Sequence, residues 1–124
     1  MFAFAACAAL VVPACEGSDV TATCEPNGSE LSIAVLASNT HHFTTDCLAA
    51  PAGRPFTIAF ENGDTSDHGD QDVHITDGSA TLFQGDLAEN GTSITYHVDA
   101  LQAGSYRFRC DNHPTLMYGA FIVQ

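Results

Sequence analysis

Short runs in which apolar and polar residues alternate cover most of the chain, and turn signals such as Asn-Gly and Asp-Gly separate them. Alternation with a period of two is the pattern of a strand with one buried face, and no long stretch repeats at the helical period. The pattern predicts strands over residues 30–36, 55–60, 71–75, 80–83, 92–98, 105–110 and 119–124. Seven or eight short strands in about a hundred residues are typical of a sandwich, so the sequence predicts one all-β domain with Greek-key topology.

The sixth predicted strand, over residues 105–110, contributes a reactive cysteine as well as core side chains. Tyr106, Phe108 and Cys110 fall on one face of this strand, and Arg107 and Arg109 fall on the other. Because the first face is apolar, we expect the sulfur of Cys110 to point into the interior at the end of a sheet.

Three side chains that bind metals lie close together after this strand: Cys110, His113 and Met117. Thiolate and thioether favour Cu(I), whereas imidazole suits both oxidation states of copper. A loop at one end of a rigid sandwich is a well-supported place for such a site. The sequence therefore predicts a copper site here, the alternative being a buried cysteine, a surface histidine and a core methionine with no shared role.

The C-x2-H-x3-M spacing in residues 108–119 resembles the C-terminal ligand loop of the cupredoxins, the small blue-copper proteins. The resemblance covers most of the chain after Cys24. Other segments that resemble exported bacterial members of that family are residues 47–53, 56–62 and 100–106. The resemblance implies a cupredoxin-like sandwich that binds one copper ion. It also implies that Cys110 is the thiolate ligand, His113 an equatorial imidazole and Met117 the weak axial thioether.

The sequence departs from the family at the second equatorial histidine, which usually opens an earlier strand in a run like His-Asn-Val-x-Ile. Gln71 stands at that position, and Asp72 replaces the asparagine. His68 is our first choice for the missing ligand, and the amide oxygen of Gln71 is the second. His74 ranks third because it needs a register slip that would turn alternate side chains to the wrong face. A fourth outcome is incomplete ligation, with weak or absent copper binding.

These features favour a one-electron carrier that acts with a redox partner protein. The alternatives are a copper-handling module for transport or storage, and a cupredoxin-fold binding domain that has lost tight copper binding. We expect that the protein is not an enzyme, because a copper ion with four protein ligands has no open coordination position for a substrate. If His68 stays out of the site, however, an open position would appear.

The chain is strongly acidic, with a net charge of −12, three arginines and no lysine. Nucleic acid is excluded as a partner because its binding rests on neutralised phosphates. The charge could steer the protein toward a partner with a basic surface, although acidity that simply maintains solubility is the favoured interpretation. We expect a monomer.

The N-terminal residues are expected to direct export. Residues 1–14 form an apolar signal peptide that lacks a basic start, which indicates a truncated beginning. Residues 12–15 resemble a bacterial lipobox, so Cys15 is expected to carry a lipid on a tether over residues 15–21. The domain then covers residues 22–124 in the periplasm or at the cell surface, and contact with a membrane is expected only through the lipid.

Export makes the remaining cysteines interpretable. With Cys7 in the signal peptide, Cys15 at the anchor and Cys110 at the candidate metal site, Cys24 and Cys47 are left as a pair. An oxidising compartment favours a disulfide between them.

Other polar residues receive plainer interpretations. His41 and His42 are expected to be surface residues rather than an accessory metal site, and His97 is expected to be exposed. The aspartates at positions 64, 67, 70, 72 and 77 are interpreted as a solvated acidic loop, since they lack the spacing of a calcium-binding loop.

Overall fold

The computed structural model describes residues 24–35, 41–65 and 69–124, and the only secondary structure in these ranges is strand, with turns between. The eight strands are β1 (Glu30–Val35), β2 (Cys47–Ala50), β3 (Phe56–Asn62), β4 (His74–Asp77), β5 (Ala80–Gln84), β6 (Ser93–Val98), β7 (Gly104–Arg109) and β8 (Tyr118–Val123). The predicted all-β domain is therefore confirmed. None of the described residues lies in a helix that is long and apolar enough to span a bilayer.

The strands form two sheets with a common core. One sheet has the order β1-β3-β6, and the other has the order β2-β8-β7-β4-β5. Pairs β1–β3 and β2–β8 are parallel, whereas the other pairs are antiparallel. The inner faces of both sheets contribute to one apolar cluster, which is the arrangement of a β-sandwich.

Alternation along β3 shows why these residues form a sandwich. Phe56, Ile58 and Phe60 are 3%, 0% and 1% exposed, while the side chains between them are more exposed. The ring of Phe60 stacks on Tyr96 of β6 with 5.8 Å between centroids. Such inward aromatic and β-branched side chains supply most of the free energy that holds the sheets together.

The predicted strand boundaries need two corrections. Strand β2 has no counterpart in the prediction, because Cys-Leu-Ala-Ala lacks clear alternation, and its last three residues are all buried between neighbouring elements. Strand β4 begins at His74 rather than at residue 71. The three residues before β4 are buried, but only Gln71 makes a bridge, with Ala88.

The disulfide between Cys24 and Cys47 is confirmed. It ties the segment before β1 to the first residue of β2, across a sequence separation of 23. Closing a loop of this length should stabilise the fold by about 3 kcal/mol, because it restricts the unfolded chain.

Candidate metal centre

The site forms where the start of β4 meets the end of β7. These strands are antiparallel neighbours, with His74 opposite Arg109. The residue after β7, Cys110, therefore lies beside the segment that leads into β4. Gln71 in that segment is fixed by two backbone hydrogen bonds with Ala88, at 3.0 Å and 2.7 Å.

Cys110 faces Gln71 across this junction. The Cys110 thiol donates a hydrogen bond to Oε1 of Gln71 at 2.9 Å, and both side chains are 0% exposed. Nε2 of Gln71 is also buried, and it has no hydrogen-bond partner among the described residues. The sequence placed Cys110 on an inward face, and the structure agrees.

The environment of the thiol determines its protonation. Burial raises the pKa of Cys110 to about 11, although the backbone N–H groups of Asp72 and Asn112 favour the thiolate. Among the described residues, Cys110 is the one cysteine outside the disulfide. At neutral pH it is therefore a protonated thiol until a cation takes the place of the proton.

Backbone hydrogen bonds close the loop after β7 onto itself. Cys110 N–H donates to the carbonyl of Met117 at 2.9 Å, and Met117 N–H donates to the carbonyl of His113 at 2.8 Å. His113 N–H in turn donates to the carbonyl of Cys110 at 3.2 Å. The three predicted ligands thus belong to one tight turn, and the Met117 side chain is 0% exposed.

Two further contacts clamp this loop to the segment before β4. Oδ1 of Asp72 accepts a hydrogen bond from Asp111 N–H at 2.8 Å, while its Oδ2 accepts one from Gln84 Nε2 at 2.9 Å. Nδ2 of Asn112 donates to the carbonyl of Asp70. Burial raises the pKa of Asp72, and the hydrogen bond from Asp111 opposes that shift. These contacts hold Gln71 and Cys110 in register.

His74 is engaged by residues other than Cys110. Its Nδ1 pairs with Oδ1 of Asp111 at 2.7 Å, and its Nε2 pairs with Oγ1 of Thr81 at 2.9 Å. Burial is the largest single influence on Asp111 and opposes its ionisation, but hydrogen bonding and electrostatic attraction from His74, together with hydrogen bonds from Gln84 and Arg109, outweigh it and lower the pKa of Asp111. Because both ring nitrogens are engaged, His74 fits a structural role better than that of a ligand.

His41 is a residue of the site that sequence reasoning missed. Its ring lies 4.4 Å from the ring of His113, centroid to centroid, and it is only partly exposed. His41 is thus only partly a surface residue, whereas His42 and His97 are exposed as expected. The residue takes a φ of 53°, so strand alternation does not apply to it.

The apolar wall behind the site is aromatic. Phe60 and Phe108 are buried, whereas Leu116 is 49% exposed and does not belong to the wall. Phe43 takes part instead, with its ring 5.2 Å from Phe108 and 6.3 Å from Phe60. No sequence pattern identified Phe43, because it lies outside the strands.

The acidic loop is not uniformly solvated. Asp64 and Asp72 are 0% and 2% exposed, which corrects the interpretation for these two residues, while Asp77 is exposed. Asp67 and His68 lie outside the described residues, as do the signal peptide and Cys15.

The gathered side chains suit copper. The Cys110 thiol contacts the Gln71 amide, whose nitrogen is buried without a hydrogen bond, and the loop that begins at Cys110 also bears the buried thioether of Met117 and the imidazole of His113. Within the described ranges, no three His, Cys, Asp or Glu side chains form a group that could hold a metal ion. The candidate donors in this region instead include a methionine, Met117, and a glutamine, Gln71.

Comparison with known proteins gives the following matches. The sequence matches a family model described as "Cupredoxin-like domain" over residues 4–123. No curated protein matches the chain. Auracyanin A, a "blue" copper protein from Chloroflexus aurantiacus, is 19% identical with a TM-score of 0.65, over 79% of this chain and 100% of that one.

Two other solved structures show the same likeness. Auracyanin from Roseiflexus castenholzii is 18% identical with a TM-score of 0.62, over 78% of this chain and 98% of that one. An oxidised amicyanin variant is 18% identical with a TM-score of 0.55, and the match covers 76% of this chain and 81% of that one. At these identities the likeness establishes the fold.

Proposed function

We propose that this chain, which belongs to the cupredoxin-like domain family, binds one copper ion and carries single electrons outside the cytoplasmic membrane. One observation carries the proposal: a fully buried thiol at the end of β7 faces a fully buried amide at 2.9 Å inside an apolar core. Buried polar groups are costly in such surroundings, so their pairing at a ligand loop supports a functional role.

The proposed ligands are Cys110, His113 and Met117, with a fourth donor from His68 or Gln71. A bound copper ion supplies a Cu(I)/Cu(II) couple that accepts and returns one electron. The protein's part is to keep the donors in place through both states. The hydrogen bonds that close the loop after β7 serve this purpose, because they leave little freedom to the backbone that bears the ligands.

The aromatic wall supports the same role by excluding water. Phe43, Phe60 and Phe108 are 9%, 1% and 0% exposed and pack against one another. A dry shell limits solvent reorganisation around a metal and tunes its potential. Auracyanin A, which shares the fold, is itself a "blue" copper protein, and this likeness adds support.

We place the redox partner at the end of the sandwich that carries the ligand loop. Leu116 and Tyr118 there are 49% and 46% exposed, which provides apolar contact area. With a net charge of −12, the protein would attract a partner with a basic surface. A lipid on Cys15 would hold the monomeric domain at an outer membrane face in the periplasm or at the cell surface, and no catalytic step is assigned to the chain.

One observation favours a second function, that of a copper-handling module. Gln71 stands where the family pattern has a histidine, and a neutral amide holds copper less firmly than an imidazole.

Competition with a Cu(I) chelator separates these functions. The copper-loaded protein is cycled between oxidised and reduced states with the chelator present, and the copper that stays bound is measured. A carrier keeps its copper through many cycles, whereas a handling module loses it on the first reduction. A protein that takes up no copper would refute both.

A further inference from the structure

We propose that the amide oxygen of Gln71 is the fourth copper donor, so that the site contains one imidazole rather than two. This inference rests on the proposed copper binding and deepens it. The contact that carries it is the 2.9 Å hydrogen bond from the Cys110 thiol to Oε1 of Gln71, between two side chains that are 0% exposed. The oxygen is already at the sulfur that would bind the ion.

Burial of this amide needs a compensating role. Oε1 of Gln71 is satisfied by the thiol, but Nε2 is buried with no hydrogen-bond partner among the described residues. A leucine or methionine would fill the space without this cost, because burying an unpaired polar group is unfavourable. A ligand role for the oxygen explains why an amide stands here.

The backbone also favours Gln71 over a residue that must move in. Gln71 is held through both its N–H and its carbonyl by Ala88. The residues on either side of it, Asp70 and Asp72, are clamped to the loop after β7 by Asn112 and Asp111. Its side chain occupies the space next to the sulfur, so a histidine from elsewhere would have to displace it.

Copper binding at this site exchanges the thiol proton of Cys110 for the metal ion. When copper binds, the Cys110 thiol releases its proton to solvent and the sulfur becomes a thiolate ligand. The hydrogen bond to Oε1 of Gln71 is then lost, and the lone pair that accepted it is available to the ion. No oxidant or reductant is needed for this step.

The number of imidazoles gives a direct test. The full chain, with the disulfide intact and Cys110 reduced, is loaded with Cu(II) sulfate and measured by pulsed EPR, which counts imidazoles from their remote nitrogens. We expect one imidazole in the wild type and in His68→Ala, and two in Gln71→His. His97→Ala, at an exposed position, is the matched control and should change nothing.

Two further measurements complete the experiment: the affinity for Cu(II), and the infrared spectrum of the copper-free protein. Gln71→Leu should weaken Cu(II) binding by about tenfold or more, since even outer-shell partners of metal ligands change affinity on that scale. His68→Ala should leave the affinity unchanged. In the copper-free protein, the infrared S–H stretch of Cys110 should shift in Gln71→Leu and not in His68→Ala, and circular dichroism confirms that each variant is folded.

The outcomes separate this inference from the proposed function. Two imidazoles in the wild type, with one lost in His68→Ala, would overturn the role of Gln71 and leave copper binding intact. Unchanged affinity in Gln71→Leu would do the same. Copper binding by Gln71→His alone would show that the other ligands are competent and that the amide is not a donor. If no variant binds copper, the proposed function fails and the inference fails with it.

Discussion

The imidazole of His41 lies against the imidazole of His113, with 4.4 Å between ring centroids and 41° between ring planes. His41 adopts a φ of 53°, the single positive value among the described residues other than glycine. A side chain with a Cβ is disfavoured in this conformation, and such strain is typical of functional sites. The residue with this positive φ thus contacts a proposed ligand.

Substitution of His41 should separate the strain from the ring contact. His41→Ala and His41→Gly both remove the ring, but only glycine relieves the backbone strain. We therefore expect the glycine variant to be more stable than the alanine variant by about 1 kcal/mol, measured by urea unfolding. Equal stability of the two variants would show that the positive φ is not strained.

Loss of the His74 ring should reduce stability without removing copper. Its two nitrogens bind Asp111 and Thr81, and the side chain is 6% exposed. His74→Ala removes both hydrogen bonds and the packing of a buried ring, so the free energy of unfolding should fall by about 1–3 kcal/mol.

The visible spectrum of copper-loaded His74→Ala should keep its sulfur-to-copper band. His97→Ala is the control, because an exposed histidine should affect neither stability nor colour. A band that disappears in His74→Ala and persists in His97→Ala would instead support His74 as the fourth copper ligand.

Removal of the disulfide should act on the unfolded chain. The double variant Cys24→Ser and Cys47→Ser frees a loop with a sequence separation of 23. We expect the free energy of unfolding to fall by about 3 kcal/mol, with the folded spectrum unchanged. Reduction of the Cys110→Ala protein should give the same loss, and a loss near zero would mean that the bridge does not restrict the unfolded state.

The buried thiol should make copper-free protein less stable in alkali. Burial raises the pKa of Cys110 from 9.0 to about 11, so the folded state holds the thiol proton more tightly than the unfolded chain does. This contribution is fully present below pH 9 and is lost as pH rises through about 11.

Ultraviolet absorbance of the thiolate and urea unfolding across this range measure the effect. Cys110→Ala should lack the decline that the wild-type protein shows between the two pKa values. A thiolate that forms in the folded protein near pH 9.0, the ordinary value, would contradict the buried placement of the sulfur.

Periodicity was sufficient to predict the sandwich, because β3, β6 and β7 each have a clear apolar face. It missed β2, whose Cys-Leu-Ala-Ala sequence has three buried residues in a row and pairs with β8, some seventy residues later in the chain. Pairing between such distant segments leaves no local signal. The disulfide was predictable because the other three cysteines had been assigned to the signal peptide, the anchor and the metal site, which left Cys24 and Cys47 as the pair.

The candidate site was predictable where the residues are close in sequence. Cys110, His113 and Met117 lie in one loop, and Gln71 was identified through a local motif. The contact of His41 with His113 was not predictable, because it depends on a positive φ and on tertiary packing. The place of Phe43 in the aromatic wall was not predictable either, because it depends on tertiary packing.

The most direct test of the account is the visible spectrum after Cu(II) is added to the reduced, disulfide-intact protein. We predict an intense sulfur-to-copper charge-transfer band at one copper per chain, which is absent in Cys110→Ser and retained in His97→Ala. A colourless wild-type protein, or a band that persists without the sulfur of Cys110, would contradict the central claim that this buried thiol is a copper ligand.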